Sequence, residues 1–122
     1  MTEPATRVDK PWGYEEIWAR TNRYVGKLLF VRQGHRLSLQ HHEVKVETLR
    51  LMSGRIEVAL GTSPDSLEHR ELVAGDRVHL PAGTVHRFTA LEDSLLVEVS
   101  TPELDDVVRH SDDYGRAGIS DP

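Results

Sequence analysis

The chain has 122 residues, 38% of them hydrophobic, which is enough for one domain with a real core and inconsistent with a disordered chain. Its 20 acidic residues outweigh 15 basic ones for a formal charge of -5, so the basic stripe that nucleic-acid backbones require is missing. Cysteine is absent, which excludes disulfide staples, thiolate catalysis and iron–sulfur or Cys-based zinc sites; any metal must take nitrogen and oxygen ligands.

No run approaches the ~20 apolar residues of a transmembrane helix, so no membrane partner is expected. Residues 1–10 are polar and lack the apolar centre of a signal peptide, so they read as a flexible leader and cytoplasmic residence is the expectation. Pro11-Trp12-Gly13 opens a short strand from Tyr14 to Ala19. Trp12 reads as a core plug or as the lining of a pocket mouth.

After a turn at Thr21-Asn22, the run YVGKLLFV from Tyr24 to Val31 has the β-branched and aromatic content of a strand. Lys27 stands out within it: either it snorkels to solvent, or it faces a pocket and attracts an anionic substrate. Gln33-Gly34-His35 is a turn. From Arg36 the chain alternates, with Ser38, Gln40 and His42 on one face. A strand from Val46 to Met52 places Glu47, Leu49 and Leu51 on one side. Ser53-Gly54 and the stripe Ile56, Val58 and Leu60 then predict a hairpin.

Gly61 to Glu68 reads as a polar loop. A short strand from Arg70 to Ala74, the pair Val78 and Leu80, and a tight turn at Pro81-Ala82-Gly83 follow. Strands from Val85 to Ala90 and Leu95 to Ser100 complete residues 11–101. The spacing nowhere sustains a helical period, and many short strands joined by Gly/Pro turns predict an all-β barrel or sandwich. Residues 102–122 form an acidic C-terminal extension in which Val107, Val108 and Tyr114 offer apolar anchors for packing on the barrel. Asp105 to His110 reads as one helical turn or a short extended piece.

Two imidazoles and two side-chain oxygens, from His42, His86, Gln40 and Glu47, make a ligand set suited to Zn, Mn, Fe, Co or Ni. Gln40 and His42 are two apart on one strand. Glu47 meets them if the next strand folds back antiparallel, and His86 arrives on a separate strand. Four protein ligands on a six-coordinate metal leave two positions open.

Gly34, His42, Glu47 and Gly54, followed by Gly75, Pro81, Gly83 and His86, resemble the two motifs of the cupin superfamily. Gln40 within Leu37-Ser38-Leu39-Gln40, the opening Pro11-Trp12-Gly13, and the tail with Asp105 to Arg109 and Asp113 to Arg116 narrow the likeness. They resemble the phosphomannose isomerase cupins, especially the C-terminal domain of the bifunctional enzymes. The chain departs from that pattern after Gln40, where His41-His42-Glu43-Val44-Lys45 replaces a histidine-rich run leading to an arginine.

The resemblance implies a single-domain jelly-roll β-barrel, Gln40, His42, Glu47 and His86 as metal ligands, and an isomerase role for Arg109. It further implies a metal-dependent aldose–ketose isomerisation of a sugar phosphate, similar to that of mannose-6-phosphate isomerase, through an enediolate. Candidate bases are His35, Lys45 and Glu98, the last facing the pocket if Leu95, Val97 and Val99 face outward. Candidate phosphate contacts are Lys27, Arg87 and Arg109; alternation with His86 points Arg87 away.

Two other readings stay open. One is an iron- or manganese-dependent oxygenase or sugar-acid-processing cupin, and the other a non-catalytic, metal-organised sugar-binding protein. The partner expectations are a sugar or sugar phosphate and a second copy in a homodimer, because an incompletely closed barrel leaves edges to cover.

Overall fold

The computed structural model describes residues 2–118, and these form eleven β-strands and no helix. Strands β1 (Thr6–Lys10), β2 (Gly13–Arg20), β3 (Val25–Val31), β5 (Glu47–Ser53), β8 (Arg77–Leu80) and β10 (Ser94–Ser100) make one sheet in the order β1-β2-β3-β10-β5-β8. Strands β4 (Leu39–His41), β6 (Arg55–Ser63), β7 (Ser66–Val73), β9 (Val85–Ala90) and β11 (Val108–Ser111) make the other, in the order β11-β4-β9-β6-β7. Every pairing is antiparallel. The two sheets face each other across one core, as in a jelly-roll barrel.

The interior changes character along the strands. At one end Val31, Leu51, Ile56, Phe88, Ala90 and Leu96 are buried in an apolar cluster. Two residues along β10 from Leu96 the inward position is Glu98, opposite Lys27 on β3. Two residues along β9 from Phe88 it is His86, opposite Gln40 on β4. Alternation therefore closes one end of the barrel with hydrocarbon and fills the other with buried polar groups.

Several sequence expectations meet a different outcome. The leader is a strand from Thr6 onward: its polar residues pair with β2 in register from Thr6↔Ile17 to Lys10↔Gly13 at the sheet edge. The segment 61–68 is the end of a β6–β7 hairpin that continues to Ser63↔Ser66. The expected hairpin across Ser53-Gly54 does not form. Strands β5 and β6 belong to opposite sheets, and the chain turns a corner at Gly54 with φ of +92°. A Cβ there would lie 2.3 Å from Ser94 Oγ and 2.4 Å from the Asp93 carbonyl, so only glycine fits.

The C-terminal extension takes its extended alternative over Val108–Ser111, pairing with β4, while Val107 is buried and Tyr114 packs against the core. Arg36 and Asp113 tie it down further through two hydrogen bonds, 2.6 Å from Nε and 2.9 Å from Nη2. Residues 119–122 lie outside the described residues. None of the described residues forms a helix long and apolar enough to cross a membrane.

Candidate metal centre

Three elements bring the predicted ligands together. Gln40 lies on β4, His42 just beyond it, Glu47 opens β5 and His86 lies on β9. Glu47 does not reach the others by a local hairpin, because β4 and β5 sit in opposite sheets; it reaches them across the barrel mouth. The connecting turn is held by Asp106, whose carboxylate accepts the backbone N–H groups of Glu43 (3.0 Å), Val44 (2.7 Å) and Lys45 (2.8 Å). Burial works to raise the Asp106 pKa, and these three hydrogen bonds overcome it and hold the group ionised below its usual range.

Each imidazole is oriented from behind. His42 Nδ1 donates to the Asp106 carbonyl and His86 Nδ1 donates to the Thr84 carbonyl at 2.9 Å. Those bonds leave both Nε2 lone pairs facing Glu47 Oε1, at 3.6 Å from His42 and 3.4 Å from His86. Gln40 Nε2 lies 3.5 Å from His86 Nε2, and Ser38 Oγ donates to Gln40 Oε1 at 2.6 Å. A half-turn of that amide presents Oε1 to the cluster instead and keeps a Ser38 partner.

His42 Nε2 is buried without a hydrogen-bond partner among the described residues. Convergent acceptors in a dry site repel unless a cation lies among them. Ligands about 2.1 Å from a shared metal stand roughly 3.0–3.4 Å apart, and the spacings here, 3.4 to 3.6 Å, lie at the upper edge of that range or just beyond it. The donor set therefore fits a divalent cation, with nitrogen and oxygen ligands that suit Zn, Mn, Fe, Co or Ni.

The cluster opens on a cavity also lined by Lys10, Trp12, Glu15, Lys27, Lys45 and Glu98, with Arg109 and Arg116 contributed by the C-terminal extension. Lys45 Nζ sits between two carboxylates, 3.0 Å from Glu47 Oε2 and 3.2 Å from Glu98 Oε2. Burial works to lower the Lys45 pKa, but the charges of Glu98 and Glu47 lift it well above the ordinary range. Burial likewise opposes ionisation of Glu47, and its surroundings, the Lys45 ammonium among them, hold it well below the usual carboxylate range. Glu98 goes the other way: burial, then the Glu47 charge, raise its pKa against the pull of Lys45 and Lys27.

Lys27 is a buried cavity residue, paired with Glu15 at 3.3 Å, and does not snorkel to solvent. Trp12 is both core and lining. Lys27, Lys45, Glu98 and Arg109 all share the cavity with the ligand cluster.

The structure does not bring His35 or Arg87 there. His35 lies level with Ala90, at the far end of β9 from His86, and its Nδ1 is 2.8 Å from the Tyr114 hydroxyl. Arg87 points out of the barrel because His86 points in. It donates to the Leu37 carbonyl at 2.9 Å and the Ser111 carbonyl at 3.2 Å, binding the extension to the barrel.

Glu15 and Asp106 escaped the sequence reading. A lysine in an apolar run signals a buried carboxylate partner somewhere, which points toward Glu15. Nothing local marks Asp106, whose partners are 61 to 63 residues away.

Against known proteins, the model for the mannose-6-phosphate isomerase C-terminal family matches residues 1–112. The xanthan biosynthesis protein XanB of Xanthomonas campestris is 32% identical over 118 residues, covering 90% of this chain. The chain spans about a quarter of the length of such curated relatives (24% of XanB). Among solved structures, KdgF from a Halomonas species superposes with a TM-score of 0.72 at 27% identity, covering 82% of this chain and 88% of that one. An RmlC-like cupin from Shewanella frigidimarina shares the fold at a TM-score of 0.69 and 14% identity, covering 80% and 84% of the two chains. With an all-β jelly roll and a family match that runs from the first residue through β11, the chain is a cupin of the mannose-6-phosphate isomerase C-terminal family.

Proposed function

We propose that this protein is a metal-dependent aldose–ketose isomerase acting on a sugar phosphate, in the manner of mannose-6-phosphate isomerase. The observation that carries the reading is the sharing of one cavity by Gln40, His42 and Glu47 of the donor cluster, a buried carboxyl with a raised pKa and a cationic wall. The family match and the relationship to a polysaccharide biosynthesis protein support the substrate class.

A divalent ion held by Gln40, His42, Glu47 and His86 supplies Lewis acidity toward the carbonyl and hydroxyl oxygens of the sugar. The protein's own groups do the rest. Glu98 removes the proton from the carbon bearing the hydroxyl beside the carbonyl and returns it to the former carbonyl carbon, while the hydroxyl proton passes from one oxygen to the other. The raised pKa makes Glu98 a stronger base than an exposed carboxylate. Lys45, 3.2 Å from Glu98 Oε2, fixes that side chain and balances charge as the enediolate forms. Lys27, Arg109, Lys10 and Arg116 provide the positive wall for the phosphate, and Trp12 with Leu29 and Leu37 keeps the inner side of the cavity apolar.

The test is conversion of mannose 6-phosphate to fructose 6-phosphate by the metal-loaded protein, compared with Glu98→Gln at equal metal content. Conversion by the parent and its loss in the variant support the proposal. Oxygen consumption in place of isomerisation would sink it in favour of the oxygenase reading.

A further inference from the structure

The outer face of the five-stranded sheet carries a second pair of imidazoles. Side chains alternate along β4 and β11, so Gln40 and Arg109 line the cavity while His41 and His110 stand on the outside. His41 Nδ1 lies 2.7 Å from His110 Nε2, with ring centroids 4.9 Å apart. Nitrogens this close on centroids this far apart mean that the rings meet edge to edge, nitrogen to nitrogen. The strand ladder alone does not make this contact. It sets His41 opposite Val108, Gln40 opposite Arg109 and Leu39 opposite Ser111, which leaves His110 as the extra residue of a β-bulge. A bulge re-aims a side chain, and here the re-aimed side chain meets His41.

Glu43 fixes the tautomer of the pair. Its Oε1 lies 2.9 Å from His41 Nε2. A carboxylate only accepts, so Nε2 carries the proton and Nδ1 turns its lone pair toward His110. That is the arrangement of a ligating histidine, which offers one nitrogen to a metal and donates the other N–H to a carboxylate. The cluster is open to solvent: the His41 side chain is 18% exposed, Glu43 67%, and His110 is exposed as well. Other surface histidines lack the combination. His69 has a carboxylate, Glu57 at 3.0 Å, and His79 a hydroxyl, Thr48 at 2.9 Å, but neither contact brings in a second imidazole.

We propose that His41 and His110, oriented by Glu43, form a second divalent-metal site on the outside of the barrel, which takes Zn, Ni or Cu and ties β11 to β4. Imidazole nitrogens suit these ions, whereas Mg and Ca take oxygen ligands. In the free protein His110 Nε2–H donates to His41 Nδ1. On binding, that proton moves to His110 Nδ1 and the cation takes its place, with water completing the shell. The two nitrogens part by roughly half an ångström to reach the spacing of ligands on a shared metal. The consequence reaches the cavity. Strand β11 is at the sheet edge, pairs with β4 alone, and carries Arg109 to the cavity on its inner side. A cation stapling its outer side holds Arg109 in place. The site requires neither the inner centre nor the reaction assigned above.

Isothermal titration of the full chain with Zn is the test, comparing the wild type with His110→Gln, His69→Gln and Glu43→Ala. His110→Gln, at an exposed position, should keep the wild-type circular dichroism and bind one equivalent fewer than the wild type, whatever the inner centre holds. His69→Gln should bind as many as the wild type. Glu43→Ala should weaken the same equivalent about 10–100-fold. Amide hydrogen exchange read by NMR tests the staple, because opening β11 separates the two imidazoles. Zinc at a hundred times the dissociation constant should slow exchange at Val108–Ser111 about a hundredfold in the wild type and not through this site in His110→Gln. Equal stoichiometry in the wild type and His110→Gln overturns the proposal. So does loss of the same equivalent in His69→Gln, which would mark adventitious binding by surface histidines. Zinc-independent exchange along β11 in the wild type overturns the staple.

Discussion

Lys45 Nζ lies 3.0 Å from Glu47 Oε2 and thereby leaves Glu47 Oε1 alone to face the two imidazoles. One buried cation thus decides which carboxylate oxygen is offered to the candidate metal centre. The same ammonium touches Glu98, so ligand and proposed base are oriented by a single side chain.

Replacing Lys45 by methionine keeps the length and apolar stem of the side chain and removes the charge. Two buried carboxylates then lose their cation, a change that costs about 3–5 kcal/mol when one partner of a buried pair is deleted. The expected outcome in urea denaturation is a lower midpoint for Lys45→Met in metal-free buffer. Added divalent cation should recover part of the loss, because it supplies positive charge to the same Glu47.

Asp106 controls the cluster from a distance. Asp106→Ala removes the acceptor for three backbone N–H groups in the turn after His42, and is expected to lower divalent-metal affinity about 10–100-fold. Isothermal titration with Zn or Mn checks this. Its Glu103→Ala counterpart, outside that turn, should titrate like the wild type.

Glu98 and its pKa set the pH response of the proposed reaction. A base must be ionised to accept a proton, and the Glu98 pKa is raised by burial and by Glu47. The acid limb of the rate profile should therefore fall at a pH above the ordinary carboxylate range. Glu98→Gln should lose about a hundredfold or more in turnover, the usual scale for a positioned base, while the metal content measured by elemental analysis stays the same.

Acid should also loosen the C-terminal extension. Asp113 has a lowered pKa, first through its hydrogen bond to Arg36. A carboxylate depressed in the folded state contributes stability above its unfolded pKa, and that contribution is lost as pH falls through the folded value. Both side chains are partly exposed, so the contribution is small. Tyrosine fluorescence from Tyr114 should report a transition on the acid side that Asp113→Asn removes, with the barrel still folded.

These relationships differ in how far the sequence shows them. Gln40, His42, Glu47 and His86 were legible because polar groups recur at inward positions of strand-like runs, where hydrocarbon is the default. Glu98 was legible for the same reason, through its phase opposite Leu95, Val97 and Val99. The partners of strands were not. Ser53-Gly54 reads locally as a hairpin turn, and no local signal states that β5 and β6 go to opposite sheets. The polar run TRVDK has no apolar stripe because β1 is a sheet-edge strand held by backbone pairing, so it reads as leader. His35 and Arg87 were nominated by residue type, and position along and around β9 placed them elsewhere.

The central claim is proton transfer at a metal-organised site, and the most direct measurement is deuterium wash-in. The metal-loaded protein is incubated with mannose 6-phosphate in D2O, and NMR follows the proton on the carbon beside the carbonyl. The account predicts exchange that depends on the protein, is lost in His42→Ala together with the bound metal, and is lost in Glu98→Gln with the metal retained. No exchange at full metal occupancy, with mannose 6-phosphate or fructose 6-phosphate, would contradict it.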